Sequence, residues 1–223
     1  MAREFGLGRV PAEDPRDRGF MMAAILPKAA PEITKRFWWA SGWWGDQADT
    51  PHCVDYSWHH WLADGPITHT PKKGPLWTPG EVYHEAQRVD EWAGEDYDGT
   101  SVRAGAKVLK RRGWIGTYRW AFDVDTIVQA LLCAGPVVVG TNWYVSMFYP
   151  NAAGLLKVDG RLAGGHAYLL DGVNTDTELV RIKNSWGRGW ARRGFATMRF
   201  ADLQRLIDED GEACIATELR PAA

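Results

Sequence analysis

The sequence predicts an α+β fold with a mainly helical lobe followed by a mainly β lobe. Apolar residues recur at helical spacing in the first half of the chain, as Val54, Trp58 and Trp61 do. From about residue 137 the period changes to that of strands. Helices first and strands afterwards favour two lobes with a cleft between them. A chain of 223 residues is long enough to bury a core in such a structure.

The N-terminal part of the chain, residues 1–46, is predicted to form an arm that packs on the body. Its first 35 residues have little periodicity and carry four prolines, Pro11, Pro15, Pro27 and Pro31. The apolar run from Phe20 to Leu26 imitates a secretion signal. Because this run is short and acidic residues precede it, we interpret it as a strand or a docking segment.

Four helices are predicted after the arm, and residues 47–122 form the mainly helical lobe. Their limits are Thr50 to Gly65, Thr78 to about Trp92, Thr100 to Gly113, and Asp125 to Ala134. In the first helix, Thr50 and Pro51 have the residue types of an N-cap and a first helical position. Cys53 is therefore expected in the first helical turn.

The remaining residues, 123–223, are predicted to form the mainly β lobe. Strands are expected over Val137 to Trp143, His166 to Val173, Leu179 to Ser185, Phe195 to Phe200, and Ala213 to Leu219. A short helix from Ala201 to Glu209 interrupts them. We expect no internal repeat and no low-complexity tract.

Charge and composition exclude several classes of protein. The net charge is −2 with acidic and basic residues mixed along the chain, which argues against binding to nucleic acid or to an anionic membrane. Most of the 13 tryptophans recur among apolar neighbours and are expected in the core. An odd count of three cysteines makes a disulfide framework unfavourable and indicates a reducing, cytoplasmic location. No stretch approaches the length of a membrane span.

Four residues have the types and the order that a thiol acyl-transfer site requires. Gln47 precedes Cys53 by six residues, and His166 and Asn184 follow far downstream. A cysteine can serve as the nucleophile and a histidine as its base. An asparagine can orient the histidine, and the amide of a glutamine can bind an oxyanion. We therefore predict a catalytic site formed by these four side chains.

These residues and the run NSWGRGW, from Asn184 to Trp190, resemble the papain-like cysteine peptidases over roughly residues 36–219. The resemblance implies a papain-like two-lobe fold across residues 1–223, with a helical lobe, an antiparallel β-barrel-like lobe and a cleft between them. It also implies a cysteine endopeptidase that acts on a peptide or protein substrate through a thioester, with no cofactor.

The same resemblance assigns roles within the cleft. Cys53 attacks, His166 transfers the proton, Asn184 orients the histidine and Gln47 holds the oxyanion. Gly164, Gly165 and Trp186 are expected to line the substrate site. Members of this family usually carry a long helical propeptide, whereas only 52 residues precede Cys53. We therefore expect a variant without propeptide or disulfides, controlled by substrate choice, a partner or its compartment.

The surroundings of the nucleophile differ from those of papain. Pro51 and His52 precede Cys53, and Val54 and Asp55 follow it. A carboxylate that faced the thiol would raise its pKa. Helix geometry places residue 55 about 200° around the axis from Cys53, which favours a solvent-facing carboxylate. We expect Cys53 to be exposed and anionic, because a helix N-terminus and His166 both stabilise a thiolate.

Other functions remain open at this point. The same triad would serve an amidase or a transpeptidase, and an idle papain-like fold would serve as a binding or assembly module. His52, His59, His60 and His69 match no common zinc spacing, so no metal is expected. Cys133 and Cys214 lie in apolar segments and are expected in the core. The oligomeric state does not follow from the sequence.

Overall fold

A computed structural model describes residues 5–27, 36–39, 42–66, 77–78 and 80–218. In this part of the chain, antiparallel strands form one sheet with the order β2-β7-β3-β4-β5-β6, and β1 pairs with β4 outside this path. The strands are β1 Arg36–Trp38, β2 Ile115–Ala121, β3 Val137–Tyr144, β4 Leu162–Asn174, β5 Leu179–Lys183, β6 Phe195–Arg199 and β7 Glu212–Glu218. The sheet is open rather than closed into a barrel, because β2 and β6 are its two ends.

Five α-helices pack on this sheet within the described residues. They are α1 Cys53–Asp64, α2 Glu81–Gln87, α3 Val102–Arg111, α4 Val124–Cys133 and α5 Phe200–Asp208. The sheet separates two apolar cores, since successive side chains of a strand point to opposite faces. On β3, Val137 and Val139 join the core with α4 and α5, whereas Val138 joins the core with α1 to α3.

The central helix α1 is buried along its whole length. It begins at Cys53 and not at the predicted Thr50 and Pro51. The hydroxyl of Thr50 donates to the carbonyl of Gln47 at 2.6 Å, so it does not cap the helix. Position 52 is the N-cap and makes no side-chain capping bond. The nucleophile predicted at Cys53 therefore stands at the start of the helix.

Two further predictions about the helical region need correction. Helix α2 ends at Gln87 and not near Trp92, because Asp90 accepts hydrogen bonds from Tyr97 and Thr100 and draws the chain into a turn. Strand β2 was not predicted, although it pairs with β7 along its length. Tyr118 and Trp120 of this strand come soon after α3. The local sequence does not indicate the change from helical to strand spacing.

The N-terminal arm crosses the body as irregular chain with two short 3-10 turns, Pro15–Phe20 and Met22–Ala24. The segment from Phe20 to Leu26 is therefore not a strand. It docks through Met22 and Leu26, which are buried in the core with α4. Among the described residues, no helix combines the length and apolar character needed to cross a bilayer.

Candidate active site

Helix α1 and strand β4 bring the predicted nucleophile and base to the same place. Cys53 is fully buried and lies in the same buried apolar cluster as Ala167. Ala167 directly follows His166 on β4. The side chain predicted to attack therefore lies against the strand that carries its predicted base.

The imidazole of His166 is held by Asn184, the first residue after β5. Its Nε2 lies 2.8 Å from Asn184 Oδ1, and that oxygen also accepts the backbone N–H of Ser185 at 2.8 Å. Because Oδ1 is an acceptor, Nε2 of the neutral imidazole must carry the proton, which leaves a lone pair on Nδ1. Within the described residues Nδ1 has no hydrogen-bond partner. This tautomer is the one that a general base needs.

Aromatic rings enclose the base. Trp186 stacks on His166 with ring centroids 4.5 Å apart, and Trp143 meets it edge-on at 4.8 Å. Both rings are fully buried. Burial lowers the pKa of His166 to about 4, although the bond to Asn184 acts in the opposite direction. The imidazole is thus neutral in this conformation.

The fourth predicted residue, Gln47, is fixed by Ser185, which sequence reasoning did not select. The backbone N–H of Gln47 donates to the Ser185 carbonyl at 2.7 Å, and the Ser185 hydroxyl donates to Gln47 Oε1 at 2.5 Å. These contacts turn Nε2 of the amide toward the start of α1, where it donates to the Thr50 carbonyl at 2.7 Å. The serine follows Asn184 in the chain, so one turn positions both amide side chains.

A segment of the arm, Phe5–Val10, lies across these residues, and we call it the strap. The Gly6 carbonyl accepts hydrogen bonds from Gln47 Nε2 at 3.2 Å and from Trp186 Nε1 at 3.1 Å. The N–H of Gly8 donates to the Gly165 carbonyl at 3.0 Å. An extended peptide of the chain itself therefore fills the cleft. From the sequence we expected activity to be controlled by substrate choice, a partner or the compartment. A segment of the chain itself that covers the site was not predicted.

The strap fits closely because two of its residues lack side chains. A Cβ at Gly6 would lie 2.1 Å from the Thr50 carbonyl oxygen, and one at Gly8 would lie 2.1 Å from the Pro51 carbonyl oxygen. On the opposite wall, Gly164 and Gly165 have close contacts with the strap as well. Together with Trp186, the three residues predicted to bind substrate all contact this peptide.

The covered site is electrically neutral. Burial raises the pKa of the Cys53 thiol to about 12, outweighing the hydrogen bonds that favour the thiolate. The prediction of an exposed, anionic cysteine is therefore wrong for this conformation. The helix N-terminus and the histidine are in place, but the strap excludes the water that would otherwise solvate the charged pair.

The two unusual neighbours of the nucleophile face a different part of the protein. Asp55 is buried and does not reach solvent as predicted. Its carboxylate accepts the Trp77 indole N–H at 2.6 Å and the Gly80 N–H at 2.7 Å, which ties the chain before α2 to α1. Burial raises the pKa of Asp55 to about 6. His52 packs against the ring of Tyr83, with centroids 4.4 Å apart.

Below the site, a buried ion pair joins the elements that carry it. Lys183 Nζ lies 2.6 Å from Asp64 Oδ2, and neither side chain is exposed. Lys183 also donates to the Trp43 carbonyl at 2.9 Å, and Asp64 accepts the Gly42 N–H at 2.5 Å. The pair thus connects the end of α1, the residue before Asn184 and the segment that leads to Gln47.

The remaining histidines and cysteines have packing roles where they are described. His59 stacks between Trp43 and Trp77, at 4.1 and 4.2 Å between centroids, and His60 Nε2 accepts the Gly45 N–H. His69 lies outside the described residues. Cys214 is buried in the core as predicted, whereas Cys133 is only partly buried at the end of α4.

A cysteine, a histidine oriented by an asparagine, and an amide donor define a thiol acyl-transfer site. The family model described as papain family cysteine protease matches residues 83–213, more than half of the chain. The chain belongs to this family of hydrolases, and its fold is papain-like.

Individual relatives agree with this assignment. Cathepsin B-like CP3 of Giardia intestinalis is 33% identical over 79 residues, which are 34% of this chain and 26% of that protein. The chain thus matches about a quarter of the length of this curated relative. The crystal structure of xylellain, a cysteine protease from Xylella fastidiosa, has a TM-score of 0.75 at 19% identity and covers 99% of both chains. Procathepsin B of Trypanosoma congolense has a TM-score of 0.65 at 12% identity, with 99% and 87% covered. Both structural similarities indicate a shared fold.

Proposed function

We propose that this protein is a cysteine endopeptidase that hydrolyses peptide bonds through a thioester acyl-enzyme. The observation that carries the proposal is the strap. This peptide lies against Pro51 and Gly165, close to the predicted nucleophile and base, and its Gly6 carbonyl accepts a hydrogen bond from Gln47 Nε2. A cleft that accepts one peptide backbone by these hydrogen bonds has the shape and donors for another.

The proposed reaction uses Cys53, His166 and Gln47, while Asn184 holds the imidazole in place. Nδ1 of His166 takes the thiol proton, and the sulfur of Cys53 attacks the carbonyl carbon of the scissile bond. Gln47 Nε2 and the backbone N–H of Cys53 stabilise the oxyanion. His166 then gives its proton to the leaving amine, and a thioester remains. Water attacks the thioester with His166 again as base, which releases the acid and restores the thiol.

Activity requires the strap to leave the cleft. A substrate peptide and the strap use the same donors and acceptors, so the two exclude each other. Departure of the strap also admits water, which stabilises charge on the cysteine and histidine. The helix N-terminus at Cys53 and the Asn184 carbonyl then favour a thiolate and an imidazolium.

The proposal includes peptide or protein substrates and a cytoplasmic location. The odd number of three cysteines supports a reducing compartment, where the thiol of Cys53 stays available for reaction. Cell fractionation with an antibody against the chain tests the location. Recovery of the protein from the secreted fraction alone would contradict it.

The central test measures cleavage of a quenched fluorescent peptide library by the parent chain and by Cys53→Ala and His166→Ala. A second set of the same three proteins also carries Gly6→Ala/Gly8→Ala. Both new methyl groups collide with the backbone and displace the strap. We expect turnover in the strap variant and its loss when either catalytic residue is replaced. Cys133→Ala removes a thiol far from the site and serves as the matched control.

Two results would contradict the proposal. One is activity of Cys53→Ala or His166→Ala within about tenfold of the matched parent. The other is a strap variant that cleaves no peptide although its Cys53 reacts with a peptide electrophile. Mass spectrometry of the products with an added amine separates hydrolysis from acyl transfer, because only transfer adds the mass of the amine.

A further inference from the structure

The loop between β5 and β6, residues 184–194, carries three arginines and no acidic residue. Arg188, Arg192 and Arg193 lie close together in the chain, and all three side chains are exposed. In the part of the chain that the structure describes, none of them forms an ion pair. The whole chain has a net charge of −2, so this concentration of cations is a local feature of the loop.

The conformation of the loop does not account for its arginines. Arg192 and Phe195 exchange backbone hydrogen bonds of 3.0 and 3.3 Å, so Arg193 and Gly194 form a two-residue turn. Both turn residues have positive φ angles, 57° and 86°. Such a turn favours asparagine, aspartate or glycine at its first position, because other side chains are strained there. Turn chemistry therefore gives no reason for an arginine at position 193.

Aromatic rings beside the loop hold guanidinium groups at the surface. The guanidinium of Arg188 lies 5.5 Å from the ring centroid of Trp44, and Trp44 meets Phe195 edge-on at 4.5 Å. Arg181 of β5 lies 4.3 Å from the ring centroid of Phe195 and 4.8 Å from that of Trp38. Cation–π contacts of this kind orient a guanidinium without removing its charge. The rings thus link the loop to a further arginine.

A groove of about 300 Å³ lies beside these rings, and Arg181 and Arg192 are both in its lining. The buried carboxylate of Asp171 accepts Nε and Nη2 of Arg181 at 2.7 and 2.8 Å. Nη1 makes neither bond and remains for another acceptor. The stem of Arg192 packs on Gly154, where a Cβ would lie 2.9 Å from Cγ and Cδ. Two guanidinium groups with fixed stems thus serve one groove.

The four side chains of this surface form what we call the arginine face: Arg181, Arg188, Arg192 and Arg193. The face begins beside the active site. The N–H of Asn184 donates to the Gly194 carbonyl at 3.1 Å, which joins the residue that holds His166 to the loop. Trp186, which the strap contacts, is two residues from Arg188. A peptide that leaves the cleft beside Trp186 is therefore directed onto the arginine face.

We propose that the arginine face is an exosite that binds an acidic segment of the protein substrate, outside the residues next to the scissile bond. The inference rests on the proposed peptidase function. Carboxylates pair with guanidinium groups through parallel hydrogen bonds. Each exposed pair contributes little, so several must act together, and binding at the face raises the effective concentration of the scissile bond at the cleft.

An acidic peptide is favoured over nucleic acid for two reasons. The face continues from a cleft that already holds an extended peptide by backbone hydrogen bonds. The remainder of the chain carries an excess of acidic residues, which would repel a long polyanion. A short acidic segment meets the arginines of the face alone.

The test compares two quenched fluorescent peptides that have the same cleavable sequence and different extensions. One extension contains four glutamates and the other four glutamines, and separate pairs carry the extension at either end. With the strap variant Gly6→Ala/Gly8→Ala, we expect the KM of the glutamate peptide to be about tenfold lower at one end, with kcat within about twofold. A KM ratio below about two at both ends would overturn the proposal.

Variants of the face assign the effect. Adding Arg188→Gln/Arg192→Gln should remove most of the KM difference and leave cleavage of the glutamine peptide within about twofold. Arg18→Gln/Lys110→Gln is the matched control, because it removes two exposed cations elsewhere and should preserve the difference. Arg181 is retained, since its removal would leave a buried carboxylate unpaired. A preference that Arg188→Gln/Arg192→Gln does not change would overturn the assignment.

Competition separates the face from the cleft. An octaglutamate peptide without the cleavable sequence should inhibit cleavage of the glutamate-tailed substrate. It should leave cleavage of the glutamine-tailed substrate within about twofold, because that substrate does not use the face. Equal inhibition of both substrates would mean that the acidic peptide binds in the cleft, and it would overturn the proposal.

Binding provides a readout that does not depend on turnover. Fluorescence anisotropy with the Cys53→Ala form of the strap variant should show binding of labelled octaglutamate that weakens several-fold in Arg188→Gln/Arg192→Gln and at about 0.5 M salt. Tighter binding of an oligothymidylate of equal charge through the same arginines would overturn the choice of an acidic peptide.

The two proposals fail in different ways. Cleavage of both tailed peptides without a glutamate preference would overturn the exosite alone. Binding of octaglutamate that depends on Arg188 and Arg192, without cleavage of any peptide, would contradict the peptidase proposal and support the acidic-peptide site.

Discussion

Two buried ion pairs of this protein have the same chemistry and different partners. Lys183 and Asp64 join α1 to the residue before Asn184, and neither side chain is exposed. Arg9 and Glu212 join the strap to β7, with exposures of 0% and 9% for their side chains. The first pair links two elements of the core, whereas the second links the core to a segment that lies on its surface.

The difference shows what a buried charge contributes in each place. Removing one partner of a buried pair leaves an uncompensated charge, which is strongly unfavourable. Removing Lys183 destabilises the whole fold, because neither α1 nor β5 can move away and expose the remaining charge to water. At Glu212 the strap can carry Arg9 into water, so the same cost shifts the strap between covering and leaving the cleft.

Breaking the deep pair should have the largest effect. Lys183→Met removes the cation and leaves the carboxylate of Asp64 buried without it, so we expect a loss of about 3 to 5 kcal/mol in the free energy of unfolding. Urea unfolding followed by circular dichroism measures it. The double variant Lys183→Met/Asp64→Asn removes both charges of this pair and should recover at least half of the loss. A single variant within about 1 kcal/mol of the parent would show that the pair does not hold α1 and β5 together.

Releasing the strap should have a smaller effect on stability and a clear effect on the thiol. In Gly6→Ala/Gly8→Ala, we expect iodoacetamide to alkylate Cys53 on the order of tenfold faster than in the parent, since alkylation requires an open cleft and a thiolate. Peptide mapping assigns the label and separates it from Cys133, which is partly exposed. Gly19→Ala is the matched control, because its Cβ would meet nothing within 4 Å. Equal alkylation rates of Cys53 in the parent and the strap variant would show that the strap does not protect the thiol.

The smallest effect is expected at Asp55, a buried carboxylate held by neutral donors. Its partners are the indole of Trp77 and the N–H of Gly80, on the chain before α2. Asp55→Asn in the strap variant should change the pKa of the Cys53 thiol by less than about half a unit. A decrease of more than about one unit in a thiol titration would show that the carboxylate suppresses the nucleophile.

Much of the fold follows from local sequence patterns. The stripe on α1, the side-chain caps of α3 and α4 at Ser101 and Asp123, and the buried apolar run that opens β3 are properties of adjacent residues. The site was also predictable in composition, because Gln47, Cys53, His166 and Asn184 occur in the order and contexts of the papain family. In the structure Asn184 holds His166 and Ser185 holds Gln47, and Ser185 carries no signal apart from its place in the NSWG run.

The strap and its ion pair were not predictable in the same way. Gly6 and Gly8 suggest a segment that approaches another backbone closely, but nothing local says which one. Arg9 and Glu212 are single charged residues 203 positions apart, and either is ordinary alone. The buried state of Cys53 depends on these distant contacts, which is why exposure of the thiol was predicted wrongly. Strand β2 was missed for a related reason, since its partner β7 comes after β3 to β6 in the chain.

The protonated state of the covered thiol has a chemical consequence. Peroxides and other oxidants attack the thiolate, and the first product, a sulfenic acid, can proceed to forms that are not reduced again. With its pKa raised to about 12 and no exposed surface, Cys53 is withheld from this chemistry while the strap is in place. The closed conformation therefore preserves the sulfur in its reduced form until a substrate needs it.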